Sequence, residues 1–260
     1  MTSLPLFVGL EADEKKDGLE RFAAENHETI QVLDRLGLQQ LEILAGFTSF
    51  CDLAEKIQNR PEVKDISLDD NLFPKYNCET FEDIALQAEY VLNKVKHDSV
   101  GITAKYAATN SGFKDGSENP TEDALLVGNV IESLKKDLSQ GETGEASAKE
   151  VNQLVSFLFI LKHTAIQYRT DLNLTNETYT EYLEKLRDLV LKKNKTDWDS
   201  FTEEERLLTQ RTTLLIQLLY KMCTLNLVNR LDSDDKMNEL NIKELGDTEE
   251  ALDQAIKYVQ

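Results

Sequence analysis

The chain has 260 residues, of which 48 are Asp or Glu and 29 are Lys or Arg, so its formal net charge at pH 7 is −19. A surface of this sign repels nucleic-acid backbones and anionic membranes, which argues against either as a direct partner. Only 4 Pro and 11 Gly occur, which is few for a β-rich or disordered chain of this length. The composition therefore favours an acidic globular protein built from helices.

In the N-terminal part, apolar residues recur at helical spacing, and this pattern predicts successive amphipathic helices. We expect Gly37 to interrupt the first helix and Pro61 to close the stretch that follows it. Thr80 with Asp83 has the spacing of a capping pair and predicts the start of the next helix. Further on, Asn119-Pro120 predicts a helix over 120–138, because Pro is favoured at the first helical position.

Two segments in the C-terminal part are candidates for the centre of the fold. Residues 148–170 contain a run from Val155 to Leu161 that is apolar on nearly every side, and such a helix is expected to be buried on every side. A short turn is expected at 172–175. Residues 203–231 are predicted to form the second buried helix, which Thr202 and Glu205 open as a capping pair.

The pattern as a whole predicts an all-α fold, a multi-helix bundle of about eight to ten helices. Two short helices, around 236–245 and 249–259, are expected to finish the chain. We predict one all-helical domain over 1–260. The alternative is a subdivision into N-terminal helices over 1–140 and C-terminal helices over 147–260, because the stretch between them is rich in Gly, Ser and Glu.

A search for catalytic patterns finds none with the required spacing. The three histidines, His27, His97 and His163, lack the Glu three residues earlier that a di-iron bundle needs, and no phosphate-binding glycine motif occurs. We expect His163 to be hydrogen-bonded to a neighbour rather than catalytic. Asp69-Asp70 and the acidic group at 232–235 lack the partners of a magnesium or calcium motif. We therefore predict no catalytic residue, no cofactor-binding residue, no cofactor and no metal ligand.

The chain contains three cysteines, Cys51, Cys78 and Cys223, with no CxxC spacing. Cys51 and Cys223 lie on apolar helical stripes, where a cysteine behaves as a small hydrophobic residue. An odd number of widely spaced cysteines favours a reducing compartment, so we expect a cytoplasmic protein. No apolar run approaches the length of a membrane span, and no membrane association is predicted.

One segment is the best candidate for a partner-binding surface. A locally basic stretch ends in Lys192, Lys193 and Lys195, and Trp198 and Phe201 follow it in a short loop. Tryptophan is enriched at binding hot spots, and clustered lysines suit an acidic or phosphorylated partner. Two structural explanations compete with this one: cations favour the C-terminus of a helix, and a tryptophan can plug the end of a bundle.

These observations favour a non-catalytic protein that acts through protein–protein interaction, as an adaptor, an inhibitor or an assembly factor for a basic protein partner. Its loops are expected to expose apolar residues, among them Phe73 and Trp198; the competing expectation for Phe73 is that it pins the connection over 59–78 to the bundle. One alternative is an enzyme that uses a divalent metal held by Asp and Glu carboxylates of different helices. Another is a subunit that docks on a neighbour through the apolar residues 4–8. The oligomeric state is left open.

Overall fold

The computed structural model of the chain describes residues 5–61, 73, 76–97, 144–229 and 239–259, and 83% of the interpretable residues are helical. There are five long helices, and a helix of 7 residues, α2, follows the first of them. The bounds are α1 Pro5–Ala45, α2 Thr48–Ala54, α3 Cys78–His97, α4 Gly144–Arg187, α5 Glu203–Cys223 and α6 Ile242–Val259. The mostly helical fold is confirmed, but the described residues hold fewer helices than the eight to ten predicted.

Among the described residues, α1 and α4 form the most extensive helix–helix contact, and the two helices run side by side in the same direction. The Thr29 hydroxyl lies 3.3 Å from the Leu158 carbonyl, and further along both helices Gln39 Nε2 donates to Asn173 Oδ1 at 2.5 Å. The buried positions of α4 follow one another at spacings of four or three residues, which is typical of a coiled-coil seam. They are Leu154, Leu158, Leu161, Ala165, Tyr168, Leu172, Thr175, Tyr179, Leu183 and Leu186.

Burial of α4 is confined to this stripe, so the prediction that 148–170 is buried on every side is wrong. Leu158 and Leu161 are 2% and 0% exposed, whereas Phe159 and Ile160 between them are 50% and 51% exposed. The physical reason is that α1 and α5 pack against one side of α4. The apolar residues on the opposite side therefore face solvent.

The second predicted central helix is central, although it is shorter than expected. α5 has eight consecutive buried residues, from Thr212 to Leu219, because α1, α4 and α6 all contact it. It ends at Cys223 rather than near 231. Its last turn is tied to two neighbours, since the Met222 carbonyl accepts from the Tyr168 hydroxyl at 3.0 Å and from Gln40 Nε2 at 3.4 Å.

Two predicted interruptions are absent. α4 continues through 172–175 because its buried stripe continues there and the Thr175 hydroxyl donates within the helix to the Asp171 carbonyl, at 2.8 Å. Gly37 lies buried inside α1, where packing outweighs the cost of about 1 kcal/mol that glycine imposes on a helix interior. The break comes instead after Ala45, next to Gly46, and α2 ends at Ala54, before Pro61.

The start of α3 also differs from the prediction. α3 begins at Cys78, because the side chain of Asn77 accepts from the Thr80 backbone N–H at 2.8 Å and from its hydroxyl at 2.7 Å. Thr80 therefore lies inside the helix.

At the C-terminus a single helix, α6, replaces the two short ones. It follows a two-residue antiparallel pairing of Val228–Asn229 with Glu239–Leu240. The predicted helix over 120–138, the pair Asp69-Asp70 and the acidic group at 232–235 lie outside the described residues.

Candidate interaction surface

The predicted partner-binding segment begins where α4 ends. The helix passes into a π-helical turn, Asp188–Lys192, and Asn194 then adopts a left-handed backbone conformation with φ of 52°. Asparagine tolerates this conformation, and it lets the Lys193 and Lys195 N–H groups donate back to the Asp188 and Leu189 carbonyls, at 3.0 and 3.2 Å. The segment therefore leaves the helix in one defined direction.

The next residues are hydrogen-bonded to the segment that follows α2. Gln58 donates its N–H to the Thr196 carbonyl at 2.7 Å, and its carbonyl accepts from the Trp198 N–H at 3.0 Å. The neighbouring Asn59 side chain donates to Asp197 Oδ1 at 3.1 Å. Because two backbone hydrogen bonds join it to Gln58, this loop connects the end of α4 to the segment that follows α2. We call this connection the joint.

The two aromatic residues of the loop lie in the joint rather than on an open surface. Phe201 is 5% exposed and belongs to the core. The Trp198 ring is half-buried, 5.5 Å from the Phe201 ring and with the Arg206 guanidinium 5.7 Å away on its face. This is the arrangement expected of a tryptophan that plugs the end of a bundle. Phe73 is 4% exposed and also belongs to the core, so of its two expected roles the one that pins its connection to the bundle is confirmed and the exposed one is wrong.

The three lysines have different surroundings. Lys192 and Lys193 are exposed, and Lys192 Nζ forms an ion pair with Asp188 at 2.7 Å. Lys195 is only partly exposed and places Nζ 2.6 and 2.8 Å from the two carboxylate oxygens of Glu205. The structure thus brings Lys195, Trp198 and Phe201 together in one joint. A partner-binding role for the segment stays a prediction.

The capping box predicted at the start of α5 is confirmed, and its carboxylate carries a pH prediction. Glu205 Oε2 accepts from the Thr202 N–H at 2.9 Å, and the Thr202 hydroxyl accepts in return from the Glu205 N–H at 3.3 Å. The hydrogen bond from Lys195, together with the Thr202 N–H, lowers the pKa of Glu205 below its ordinary value of 4.5. A lowered pKa stabilises the fold above the ordinary value and loses that contribution as the pH falls through the folded value.

We therefore expect Glu205→Gln to lower the free energy of unfolding by about 0.5–1 kcal/mol at pH 7. The difference from the unchanged chain should diminish in acid, because the contribution of the carboxylate is lost as the pH falls through the folded pKa. Urea titrations at pH 7 and pH 3 measure both quantities. Glu204→Gln, in the same first turn and exposed, is the matched control and should cost less. A Glu205→Gln deficit of the same size at both pH values would contradict the assignment.

The exposed side of α4 is a second candidate surface, and over part of its length its most exposed residues are uncharged. From residue 152 to residue 174 no exposed residue of α4 is Asp, Glu, Lys or Arg. The exposed residues there are Asn152, Gln153, Ser156, Phe159, Ile160, His163, Ile166, Gln167, Thr170, Asn173 and Leu174. We call this set the uncharged face. Charged residues constitute 30% of the chain, so a face of this length without them differs from the rest of the surface.

Two of the charged residues beside this face, Lys162 and Arg169, are directed to the seam with α1. Lys162 Nζ lies 2.5 Å from Glu25 and 2.8 Å from Glu28 of α1, and its hydrogen bonds to Glu25 and Glu28 raise the lysine pKa. The Arg169 Nε donates to Gln39 Oε1 at 3.2 Å. The contacts with Glu25, Glu28 and Gln39 stabilise the α1–α4 seam. The half-buried Asp171 instead accepts from Gln167 Nε2 of the face at 3.2 Å. Apolar and uncharged polar side chains are exposed on the other side of α4.

At the centre of the uncharged face are aromatic and branched side chains. The rings of Phe159 and His163 lie 4.1 Å apart, and His163 Nδ1 is 2.8 Å from the Phe159 carbonyl. The expected hydrogen bond of His163 to a neighbour is therefore present, but the residue is exposed. Ile160 and Ile166, at 51% and 46% exposure, flank this pair.

A groove of about 330 Å³ adjoins the end of the uncharged face, between α4, α5 and α6. Leu174 of the face and Ile256 of α6, 58% and 45% exposed, form part of its lining. The groove is lined mainly by aliphatic groups. Such a concave apolar site beside an exposed apolar face is the kind of place where a partner inserts a side chain.

Sequence reasoning missed the uncharged face, because the run from Val155 to Leu161 predicts burial of all its residues equally. The signal that would have found it is the four-and-three spacing of the seam, which leaves Phe159 and Ile160 on the far side. Among the described residues, no group of three or more His, Cys, Asp or Glu could hold a metal ion. Within the same ranges, no helix has both the length and the apolar character needed to cross a membrane. Comparisons with protein-family models, with curated proteins and with solved structures show no match for this chain.

Proposed function

We propose that this protein is a non-catalytic interaction protein that binds a basic protein partner through the uncharged face of α4. The observation that carries the proposal is the contrast between that face and the rest of the chain. Depletion of charged residues around exposed aromatic and aliphatic side chains is the compositional mark of the core of a protein–protein interface. Exposed apolar patches of this kind mark sites of association on soluble proteins.

The charge of the chain determines the kind of partner. A second copy would carry the same formal charge of −19, and its approach would be opposed by repulsion. A partner with a basic rim would be attracted over the distance at which the field is unscreened, and its apolar centre would then meet Phe159, Ile160 and Ile166. In such complexes electrostatic steering sets the association rate, and apolar burial sets the lifetime.

The charged residues that follow the uncharged face on α4 are consistent with an apolar centre bordered by a polar rim. On α4, exposed charged residues resume at Glu177, and Glu181 and Glu184 follow. Glu181 is paired with Lys185 and Glu184 with Arg187, so Glu177 is the first exposed carboxylate beyond the apolar centre. A basic residue at the edge of the partner would meet Glu177, in the manner of the polar rim of an interface.

The test is a binding comparison between two variants of the same helix. Partners are captured from a native lysate on the full chain at low and at high salt, and the affinity of the recovered protein is then measured for each variant. Ile160→Glu places a charge at the centre of the face and is expected to raise the Kd at least tenfold, a loss of about 1.4 kcal/mol or more. Thr180→Glu, an exposed position in the charged part of α4, is the matched control and should change the Kd little.

Circular dichroism and melting temperature should be unchanged for both variants, because glutamate is a good helix former and both positions are exposed. The recovered partner should be basic, and its association rate should fall as ionic strength rises. Equal affinities of Ile160→Glu and the unchanged chain, or a complex indifferent to salt, would overturn the proposal.

A further inference from the structure

Two of the three cysteines lie together at the junction of α2 and α3, far apart in the sequence. Cys51 of α2 is fully buried, and its sulfur lies 3.6 Å from the carbonyl oxygen of Cys78. Cys78 is half-buried and is the first residue of α3. The third cysteine, Cys223, is fully buried at the end of α5.

The surroundings of Cys78 favour its thiolate form. Arg60 Nη1 donates to Cys78 Sγ at 3.5 Å, and Arg60 is itself exposed. Cys51 is adjacent as well, and its thiol donates to the Cys78 carbonyl oxygen at 3.6 Å. The sulfur lies at the N-terminus of a helix of 20 residues, where the unpaired N–H groups favour negative charge.

These groups act on the two thiols in opposite directions. The hydrogen bond from Cys51, followed by Arg60, lowers the pKa of Cys78 to about 6, although burial and the carboxylate of Glu55 oppose the shift. The same hydrogen bond, burial, and the carboxylates of Glu82 and Glu55 raise the pKa of Cys51. One member of the pair is thus the nucleophile and the other is a protonated thiol beside it. Burial also raises the pKa of Cys223.

We propose that Cys51 and Cys78 form a peroxide-responsive dithiol, in which Cys78 is the residue that reacts and Cys51 is the residue that resolves it to a disulfide. The proposal depends on the contact of the Cys51 thiol with Cys78 and on the donation from Arg60 to the Cys78 sulfur. It is independent of the uncharged face of α4, so either proposal can fail without the other.

The chemistry needs a hydroperoxide as the oxidant. The Cys78 thiolate attacks one peroxide oxygen, the S–O bond forms, the O–O bond breaks, and the leaving hydroxide takes a proton to become water. The Cys51 sulfur, giving up its proton, then attacks the sulfenic sulfur of Cys78. The S–S bond forms, the S–O bond breaks, and a second water leaves. Two thiols are oxidised by two electrons in total while one hydrogen peroxide is reduced to two waters.

The experiment treats the reduced full chain with equimolar hydrogen peroxide, blocks the remaining thiols with N-ethylmaleimide and maps the peptides by mass spectrometry. We expect a peptide pair joined through Cys51 and Cys78, lighter by two hydrogen atoms, in a protein that stays monomeric on a non-reducing gel. Cys223 should be blocked only after unfolding. Alkylation of Cys78 in the reduced protein should have its pH midpoint near 6.

Three variants assign the roles. Cys51→Ala should leave a sulfenic acid at Cys78 that dimedone traps, and Cys78→Ser should leave Cys51 unreacted. Arg60→Gln, an exposed change that spares the fold, should move the alkylation midpoint to higher pH and slow disulfide formation. The proposal is overturned if Cys51 and Cys78 remain thiols under peroxide while circular dichroism shows a folded chain. It is equally overturned if Arg60→Gln leaves the midpoint unmoved.

Discussion

Leu161→Ala is expected to lower the free energy of unfolding by about 3–4 kcal/mol, whereas Ile160→Ala should change it by no more than about 0.5 kcal/mol. The two residues are adjacent on α4 and similar in size, but Leu161 is 0% exposed in the α1–α4 seam and Ile160 is 51% exposed. The first change leaves a cavity between two helices, and the second removes a side chain that already contacts water. In a thermal scan the Leu161 variant should melt lower by on the order of 10 °C.

Urea denaturation with a common slope for both variants is the measurement. Ile160→Ala is the control for Leu161→Ala. Helix propensity favours alanine at both positions, so the two variants differ in the solvent exposure of the residue that is replaced. Similar losses at the two positions would mean that α4 is enclosed on all sides, as the apolar run in the sequence predicts.

The second large effect is expected in α5, where the cost of substitution should not depend on the face. Leu215, Ile216 and Leu218 are 3%, 0% and 0% exposed, and they point in different directions around the helix. Each change to alanine should cost about 2–5 kcal/mol, because each removes buried methyl groups and leaves a cavity. An alanine scan by urea denaturation should therefore give a continuous block of losses in α5.

The matched comparison is the run Phe159, Ile160 and Leu161 of α4, in which only the last residue should be costly. A near-neutral result at one of the three α5 positions would contradict the enclosed helix, since it would show that one side of α5 is free.

How much the sequence predicts depends on how far apart the interacting residues are. The capping box of Thr202 and Glu205 is predicted correctly because it depends on four consecutive residues and on backbone geometry that they determine themselves. The start of α3 is missed because two local solutions compete there, and Asn77 provides a cap three residues before Thr80.

Features that depend on tertiary partners are predicted less well. The composition of Val155 to Leu161 contains no information about which side meets α1 and α5, so the exposed face of α4 follows only from the packing. Similarly, Gly37 and the segment 172–175 read as interruptions in isolation, yet the buried stripes on both sides of them keep α1 and α4 continuous.

The candidate sites show the same limit. The lysine and tryptophan segment is visible in the sequence as a compositional cluster, but its attachment to Gln58 and Asn59 is a long-range contact. The contact of Cys51, Cys78 and Arg60 is long-range as well, and their spacing in the chain resembles no redox motif. The position of Cys78 beside Cys51 and Arg60 follows only from the fold.

Hydroxyl-radical footprinting of the folded full chain tests the architecture most directly, since it reports side-chain contact with water residue by residue. From the exposure of these side chains we expect rapid labelling of Phe159, Ile160 and Ile166. Leu158, Leu161 and the α5 residues from Leu214 to Leu219 should be protected. Protection of Phe159 and Ile160 to the same degree as Leu158 and Leu161 would contradict this expectation, because α4 would then have no side open to a partner.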